Sequence, residues 1–226
     1  MSWRIEQADA LALLRELPDG WAQTCVTSLP RPGASAEVFA ILVQARRVLR
    51  ADSTLWLFTH RAEPLQDALG ELGFYGHGTP RWAAPLAANT NTRLLLFTKS
   101  TRFFCDAYTL NYPGPRRAFH ASTQSPTRGT RRRLCGRERL ARLTRRCVLA
   151  GSSPLACGVC GAPYERAPAS ESGRGARRPT CAHRDRAGRC LVLDPFAYPG
   201  TPTGEIAHRY GRSFLGISDI AHVGER

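Results

Sequence analysis

Leu191-Val192-Leu193-Asp194-Pro195-Phe196-Ala197-Tyr198-Pro199-Gly200-Thr201-Pro202-Thr203-Gly204 is the stretch on which the reading of the fold turns. Three apolar residues end in an acid, the pattern of a buried strand. Prolines and glycines then make residues 195–203 a loop. Gly204 to Arg209 reads as a helix and Ser213 to Ile217 as a second strand. In such a strand–loop–helix unit the glycines let backbone approach a ligand, while the carboxylate and the helix N-terminus supply fixed polar groups.

Working outward, the same alternation recurs. Residues 8–18 space Leu11, Leu13, Leu14 and Leu17 as a helix stopped by Pro18-Asp19-Gly20. Cys25-Val26-Thr27 is β-prone, and residues 36–50 form an amphipathic helix with Val38, Ile41, Leu42, Ala45, Val48 and Leu49 on one face. Thr54 to Thr59 and Arg93 to Thr98 read as apolar strands, with a helix over Glu63 to Leu72 between them. Residues 111–133 break the pattern and read as a basic loop, after which Gly136 to Ala150 is helical. Strands alternating with helices predict an α/β sheet with ligands at the carboxyl ends of its strands.

The chain has 226 residues and 42% hydrophobic content, enough to bury a core and too much for a wholly disordered chain. No apolar run approaches the roughly 18 residues that span a bilayer, and Met1 to Glu6 does not read as a signal peptide, so a cytoplasmic protein without membrane contact is expected. The net charge is +14, and all of it lies between Tyr112 and Cys190, where 18 arginines face Glu138, Glu165, Glu171 and Asp185. That localisation is the pattern of a surface that meets a polyanion, here nucleic acid. Arg131-Arg132-Arg133 is the candidate phosphate contact.

Eight cysteines without a signal peptide argue against a disulfide framework. Cys157-Gly158-Val159-Cys160-Gly161 has the form of a zinc-knuckle turn. Its second pair is Cys181 with Cys190, giving four sulfurs at spacings that suit tetrahedral zinc, with Cys181 and His183 as the alternative. Cys25, Cys105, Cys135 and Cys147 read as packing residues.

Five segments, taken together and in order, resemble the DNA amino-methyltransferases. Residues 192–218, VLDPFAYPGTPTGEIAHRYGRSFLGIS, resemble the family's cofactor loop DPFxGSGTTG with its following helix and xGI strand. Residues 8–32, ADALALLRELPDGWAQTCVTSLPRP, resemble GDALxLLxxLPDxSVDLxVTSPPY. Residues 46–56, 89–108 and 145–166 resemble RVLKPDGTLW, HExLLLFTKSxRYxYD and RRCILAGTSPxACxxCGAPWER. The catalytic motif precedes the cofactor motif, the permuted order of the β class.

The resemblance implies an α/β S-adenosylmethionine-dependent methyltransferase fold, a Rossmann-like mixed sheet with a small Cys-rich insertion. It implies site-specific transfer of a methyl group from S-adenosylmethionine to an exocyclic amine, cytosine N4 or adenine N6, of a base flipped out of double-stranded DNA. Ser28, Leu29, Pro30 and Arg31 fall on the catalytic motif, where Ser28 in place of an acid favours cytosine. Asp9, Asp194, Pro195, Phe196, Gly200, Thr201 and Asp219 fall on the cofactor-binding positions. Four segments follow: a catalytic half at 1–110, a basic segment and helix standing for a shortened target-recognition region at 111–150, a zinc-ribbon-like insertion at 151–190, and a cofactor half at 191–226. A cognate restriction nuclease is the implied partner.

The chain also departs from the family pattern. Leu29 replaces a proline, Arg31 the stacking aromatic residue, Tyr198-Pro199 the usual Gly-Ser, and Ser218 the ribose-binding acid, with Asp219 one step late. Two readings therefore stand, an active methyltransferase and a catalytically degenerate one that only binds DNA. An RNA-binding zinc ribbon ranks below both.

Overall fold

The computed structural model describes residues 3–30, 35–60, 63–80, 82–83, 92–111, 136–167 and 176–219. In chain order the first elements are β1 (Arg4–Gln7), α1 (Ala10–Glu16), β2 (Ala22–Ser28), α2 (Ala36–Val48), β3 (Leu49–Thr59), α3 (Glu63–Glu71), β4 (Tyr75–Gly78) and β5 (Arg93–Thr98). Then come α4 (Ala107–Asn111), α5 (Gly136–Gly151), β6 (Tyr164–Arg166), β7 (Arg177–Pro179), β8 (Leu191–Asp194), α6 (Pro202–Arg209) and β9 (Ser213–Ser218). The first two helices start where a side chain can take up an orphan amide. Asp9 accepts from the Ala12 N–H at 2.7 Å and Ser35 from the Val38 N–H at 3.2 Å.

Among the described residues, seven strands form one sheet in the order β1-β9-β8-β2-β3-β5-β4. Neighbours from β1 through β3 are parallel, and β5 runs antiparallel to both β3 and β4. Strand side chains alternate between faces, so each strand feeds two cores. Cys25, Leu55, Leu57, Leu193 and Leu215 pack with α1, α2 and α3, while Val26, Trp56, Phe58, Val192 and Phe214 pack with α5 and α6. Both faces are covered, so the inner strands are buried on both sides, and their polar members Gln23, Thr24, Thr27 and Thr54 are buried with the apolar ones. No helix among the described residues is long and apolar enough to cross a membrane.

One close seam between a helix and the sheet is polar. The Thr24 and Thr54 hydroxyls lie 2.8 Å apart, and the Trp56 indole N–H donates to Thr54 Oγ1 at 3.0 Å. Gly151 ends α5 directly over this trio: a Cβ there would collide with both hydroxyls and stand 2.8 Å from Trp56 Nε1. Gly151→Ala is therefore expected to destabilise the fold by about 1–3 kcal/mol, as overpacking of a closed core does. Urea unfolding checks it: a lowered midpoint at unchanged slope is the expected result, and an unmoved midpoint refutes the packing account.

Candidate functional site

From β2 the chain passes through α2 to β3 on one side of the sheet, and from β8 it passes through α6 to β9 on the other. The two parallel strands β2 and β8 are neighbours, so the crevice beyond their carboxyl ends is the switch point where open α/β sheets hold ligands. One buried group joins these ends. Asp194, 2% exposed, accepts from Thr27 Oγ1 at 2.5 Å, from the Phe196 N–H at 3.3 Å and from Thr201 Oγ1 at 3.2 Å. A carboxylate this deep is tolerated because its oxygens are hydrogen-bonded.

These bonds shape the loop that follows. Asp194 holds the start of the loop through Phe196 and its end through Thr201, and the Thr201 N–H closes a turn on the Tyr198 carbonyl at 2.9 Å. Gly200 sits at φ +86°, a backbone region that favours glycine, and a side chain there would meet nothing within 4 Å. The loop therefore leaves open space beside its backbone at the crevice. Pro195 and Phe196 are buried beneath it.

The other expected residues lie along the same edge. Ser28 ends β2 half-buried; Leu29 and Pro30 follow it into the interior, and the Leu29 N–H donates to the Phe58 carbonyl at 3.0 Å. Leu29 is 8% exposed and belongs to the apolar core, so the residue standing in the proline's place packs inward. Asp9 is exposed just beyond β1, its carboxylate capping α1, and the Ala8 N–H reaches the Ser218 carbonyl at 3.3 Å across to β9. Asp219 follows Ser218 at the end of β9. The sheet order thus aligns Asp9, Asp219, the 194–201 loop and Ser28 on the carboxyl ends of adjacent strands. Arg31, Arg131, Arg132, Arg133 and most of the expected basic loop lie outside the described residues.

The cysteine expectation needs one correction. The ligand atoms of Cys157, Cys160, Cys181 and His183 all lie within 4.8 Å of one another, and Cys190 is not among them. Cys190 is buried just before β8, its thiol directed to the Leu155 carbonyl at 3.9 Å, and desolvation pushes it up to about 11. Its thiol is turned to that carbonyl rather than to the cluster. The backbone amide of Cys160 is the chief cause that draws the Cys157 thiol down to about 7. Three cysteines and a histidine in this arrangement are a donor set that fits zinc. Cys25 and Cys147 are buried packing residues, their thiols held well above the ordinary range by burial, and Cys105 is raised to about 11 by burial and then by Asp106. Cys135 lies outside the described residues.

Motif reading missed a second charged centre. The Asp106 side chain, 3% exposed, pairs with Arg166 at 3.1 Å and Arg177 at 3.4 Å. Nearby, Arg212 is 7% exposed and donates to the Ser152 carbonyl at 2.7 Å and to the Tyr210 carbonyl at 2.6 Å. Burial, then the neighbouring Arg177, lowers Arg212 to about 10. Arg166 and Arg177 look in sequence like two more members of a basic run.

No family model matches the chain, and no curated protein matches it. Solved structures do. M1.HpyAVI covers 96% of this chain and 92% of its own at 14% identity, with a TM-score of 0.53. TTHA0409 of Thermus thermophilus, assigned as a DNA modification methylase and solved with S-adenosyl-L-methionine, covers 96% of this chain and 90% of its own at 19% identity and a TM-score of 0.51. The PvuII cytosine-N4-specific DNA methyltransferase covers 97% and 82% at 13% identity and 0.53. The chain has the S-adenosylmethionine-dependent methyltransferase fold. The mixed seven-stranded sheet is the expected one, and the Cys-rich insertion sits outside it as a two-stranded ribbon of β6 and β7.

Two outcomes follow from this geometry. Thr27→Val keeps the shape but leaves Asp194 Oδ1 one donor short, and is expected to cost about 1–3 kcal/mol in urea unfolding. The Cys190 thiol, held up near 11, is expected to resist iodoacetamide in the folded protein at neutral pH. Its labelling should rise only as pH climbs past the ordinary thiol range toward that value, which peptide mass mapping reads directly.

Proposed function

We propose that the protein is a DNA methyltransferase that methylates an exocyclic base amine, with cytosine N4 as the preferred target and adenine N6 as the other member of the class. The observation that carries this reading is the alignment of Ser28, the 194–201 loop, Asp9 and Asp219 along one edge of a methyltransferase-fold sheet. The fold neighbours support it, one as a complex with S-adenosyl-L-methionine and one as a cytosine-N4-specific enzyme.

S-adenosylmethionine, when bound, supplies a methyl group on a sulfonium that leaves as the neutral thioether. The open backbone at Gly200, the Asp194-anchored turn and the carboxylates of Asp9 and Asp219 would hold it. Ser28 would accept a hydrogen bond from the target amine together with the backbone carbonyl that follows it. That contact would turn the amine's lone pair into the crevice, and the proton the methylated amine sheds would pass to water. Most of the rate would come from this positioning of the amine by the residues of the crevice. Pro30 and Arg31 would flank the flipped base, and the arginines of 112–190, with Arg131–Arg133 among them, would grip the duplex through its phosphates.

In this reading residues 1–110 and 191–226 make the two halves of the catalytic domain, 111–150 the target-recognition region and 151–190 the ribbon. Action on DNA fits a cytoplasmic protein that works beside a cognate restriction nuclease. Zinc in the Cys157–His183 cluster would be structural, because all four positions of a tetrahedral ion would be filled by protein. Leu29, buried in the core where the family has proline, favours the rival reading of a DNA-binding protein without activity.

Calorimetric titration with S-adenosylmethionine at fixed salt, followed by methyl transfer to mixed genomic DNA, separates the two. The enzyme reading expects micromolar binding and transfer. Ser28→Ala should then slow transfer roughly 10²–10³-fold, as loss of one aligned polar contact does, with cofactor affinity unchanged. Folded protein that binds DNA but no cofactor at millimolar concentration overturns the enzyme reading and leaves the rival.

A further inference from the structure

The ribbon is too small to hold itself. Each of its strands has three residues, and beyond them isolated bridges join Ala156 to Pro163 and Gly188. Among its described residues Tyr164 is the one large fully buried side chain, with its hydroxyl donating to the Asp185 carbonyl at 2.8 Å. A two-stranded hairpin of this size is marginal in water without a further cross-link.

The cross-link falls where the hairpin needs it. Cys157 and Cys160 precede β6 and Cys181 and His183 follow β7, so the four donors lie at the open base of the hairpin, within 4.8 Å of one another. A tetrahedral zinc ion, with Zn–S of about 2.3 Å and Zn–N of about 2.0–2.1 Å, sets donor separations of roughly 3.5–3.8 Å. The backbone of the turn is shaped for this: the Gly161 N–H donates to the Cys157 carbonyl at 2.8 Å, the Cys157 N–H to the Ala162 carbonyl at 2.9 Å, and Gly161 takes φ +70°. Arg50 of β3 ties the knuckle to the main sheet by donating to the Cys160 carbonyl at 2.7 Å.

On the far side of the metal cluster, the same two strands carry Arg166 and Arg177 onto Asp106. Arg166 also lies over the Tyr108 ring at 4.5 Å, and Arg177 donates to Ser153 Oγ at 3.1 Å. Asp106 heads α4, and its own N–H donates to the Ala150 carbonyl at 2.8 Å near the end of α5. If the hairpin base opened, both arginines would leave, and a nearly fully buried carboxylate would lose its charge partners, a costly state.

We infer that Cys157, Cys160, Cys181 and His183 form a closed zinc centre whose work is to hold the ribbon's two arginines on Asp106, so that the metal fixes the start of α4. Asp106 is the latch in this device. The inference stands independently of methyl transfer, and its test reads neither cofactor nor DNA.

The test uses the full chain, with metal content measured alongside amide hydrogen exchange. One zinc per chain is expected; cobalt in its place should give the visible bands of a tetrahedral sulfur-rich site. Cys181→Ser and His183→Ala should lose the metal, while Cys190→Ser keeps it. Chelation should speed exchange across residues 104–111 and 153–166 at least about tenfold, with β2 and β8 still protected. Asp106→Asn, which spares every ligand, should keep its zinc yet speed exchange over 104–111. A chain without stoichiometric zinc, or one whose zinc survives His183→Ala and is lost in Cys190→Ser, overturns the site. Unchanged exchange at 104–111 in the chelated protein and in Asp106→Asn overturns the latch, as does loss of protection spreading equally to β2 and β8.

Discussion

The buried carboxylate of Asp194 is the constraint around which the rest of the edge is arranged. Its bond from Thr27 crosses between two strands whose residues are 167 positions apart, and its bond from Thr201 fixes the far end of the loop. A charge this deep is stable only if its donors stay in place, so the carboxylate makes strand pairing, loop shape and the start of α6 depend on one another. The outcome is a rigid polar corner at the switch point, with the glycine backbone of the loop left facing outward. Burial that satisfies Asp194 internally also means that it orders the loop, and the surfaces a ligand would meet are those the loop presents.

Where local pattern and tertiary context agree, the sequence was readable. Helices α1 and α2 fall within their expected spans because apolar spacing, Asp9 and Ser35 all say the same thing. The expected strand at Thr54 to Thr59 begins earlier, at Leu49, because polar Arg50 to Ser53 continue the extended strand. Strands β1 and β4 carry no apolar signal; Arg4-Ile5-Glu6-Gln7 is a strand only because β9 supplies its partner, and Tyr75-Gly76-His77-Gly78 only because β5 does. Both lie at sheet edges, where one face or one side needs no apolar residue.

The same division runs through the functional residues. A hydrophobic run that stops at an acid located Asp194, whereas Ser28 and Asp219 were found only through the resemblance of their segments to the methyltransferases. Partnership across space could not be read. Nothing near Asp106 in the chain announces Arg166 and Arg177, and spacing alone put Cys190 ahead of His183 for the fourth ligand position. In the structure the donor atoms that gather are those of Cys157, Cys160, Cys181 and His183, while Cys190 is buried just before a central strand.

The order β1-β9-β8-β2 has a consequence for how the chain is made. Strands β8 and β9 come after β1 and β2 in the chain and slot between them, so the facing sides of β1 and β2 wait unpaired until residues 191–218 have been made. Contacts of such long separation close slowly, and open parallel edges invite the wrong partner in the meantime. The site therefore comes into being only with the final insertion, and a nascent or truncated chain holds half of its polar corner with no carboxylate to complete it.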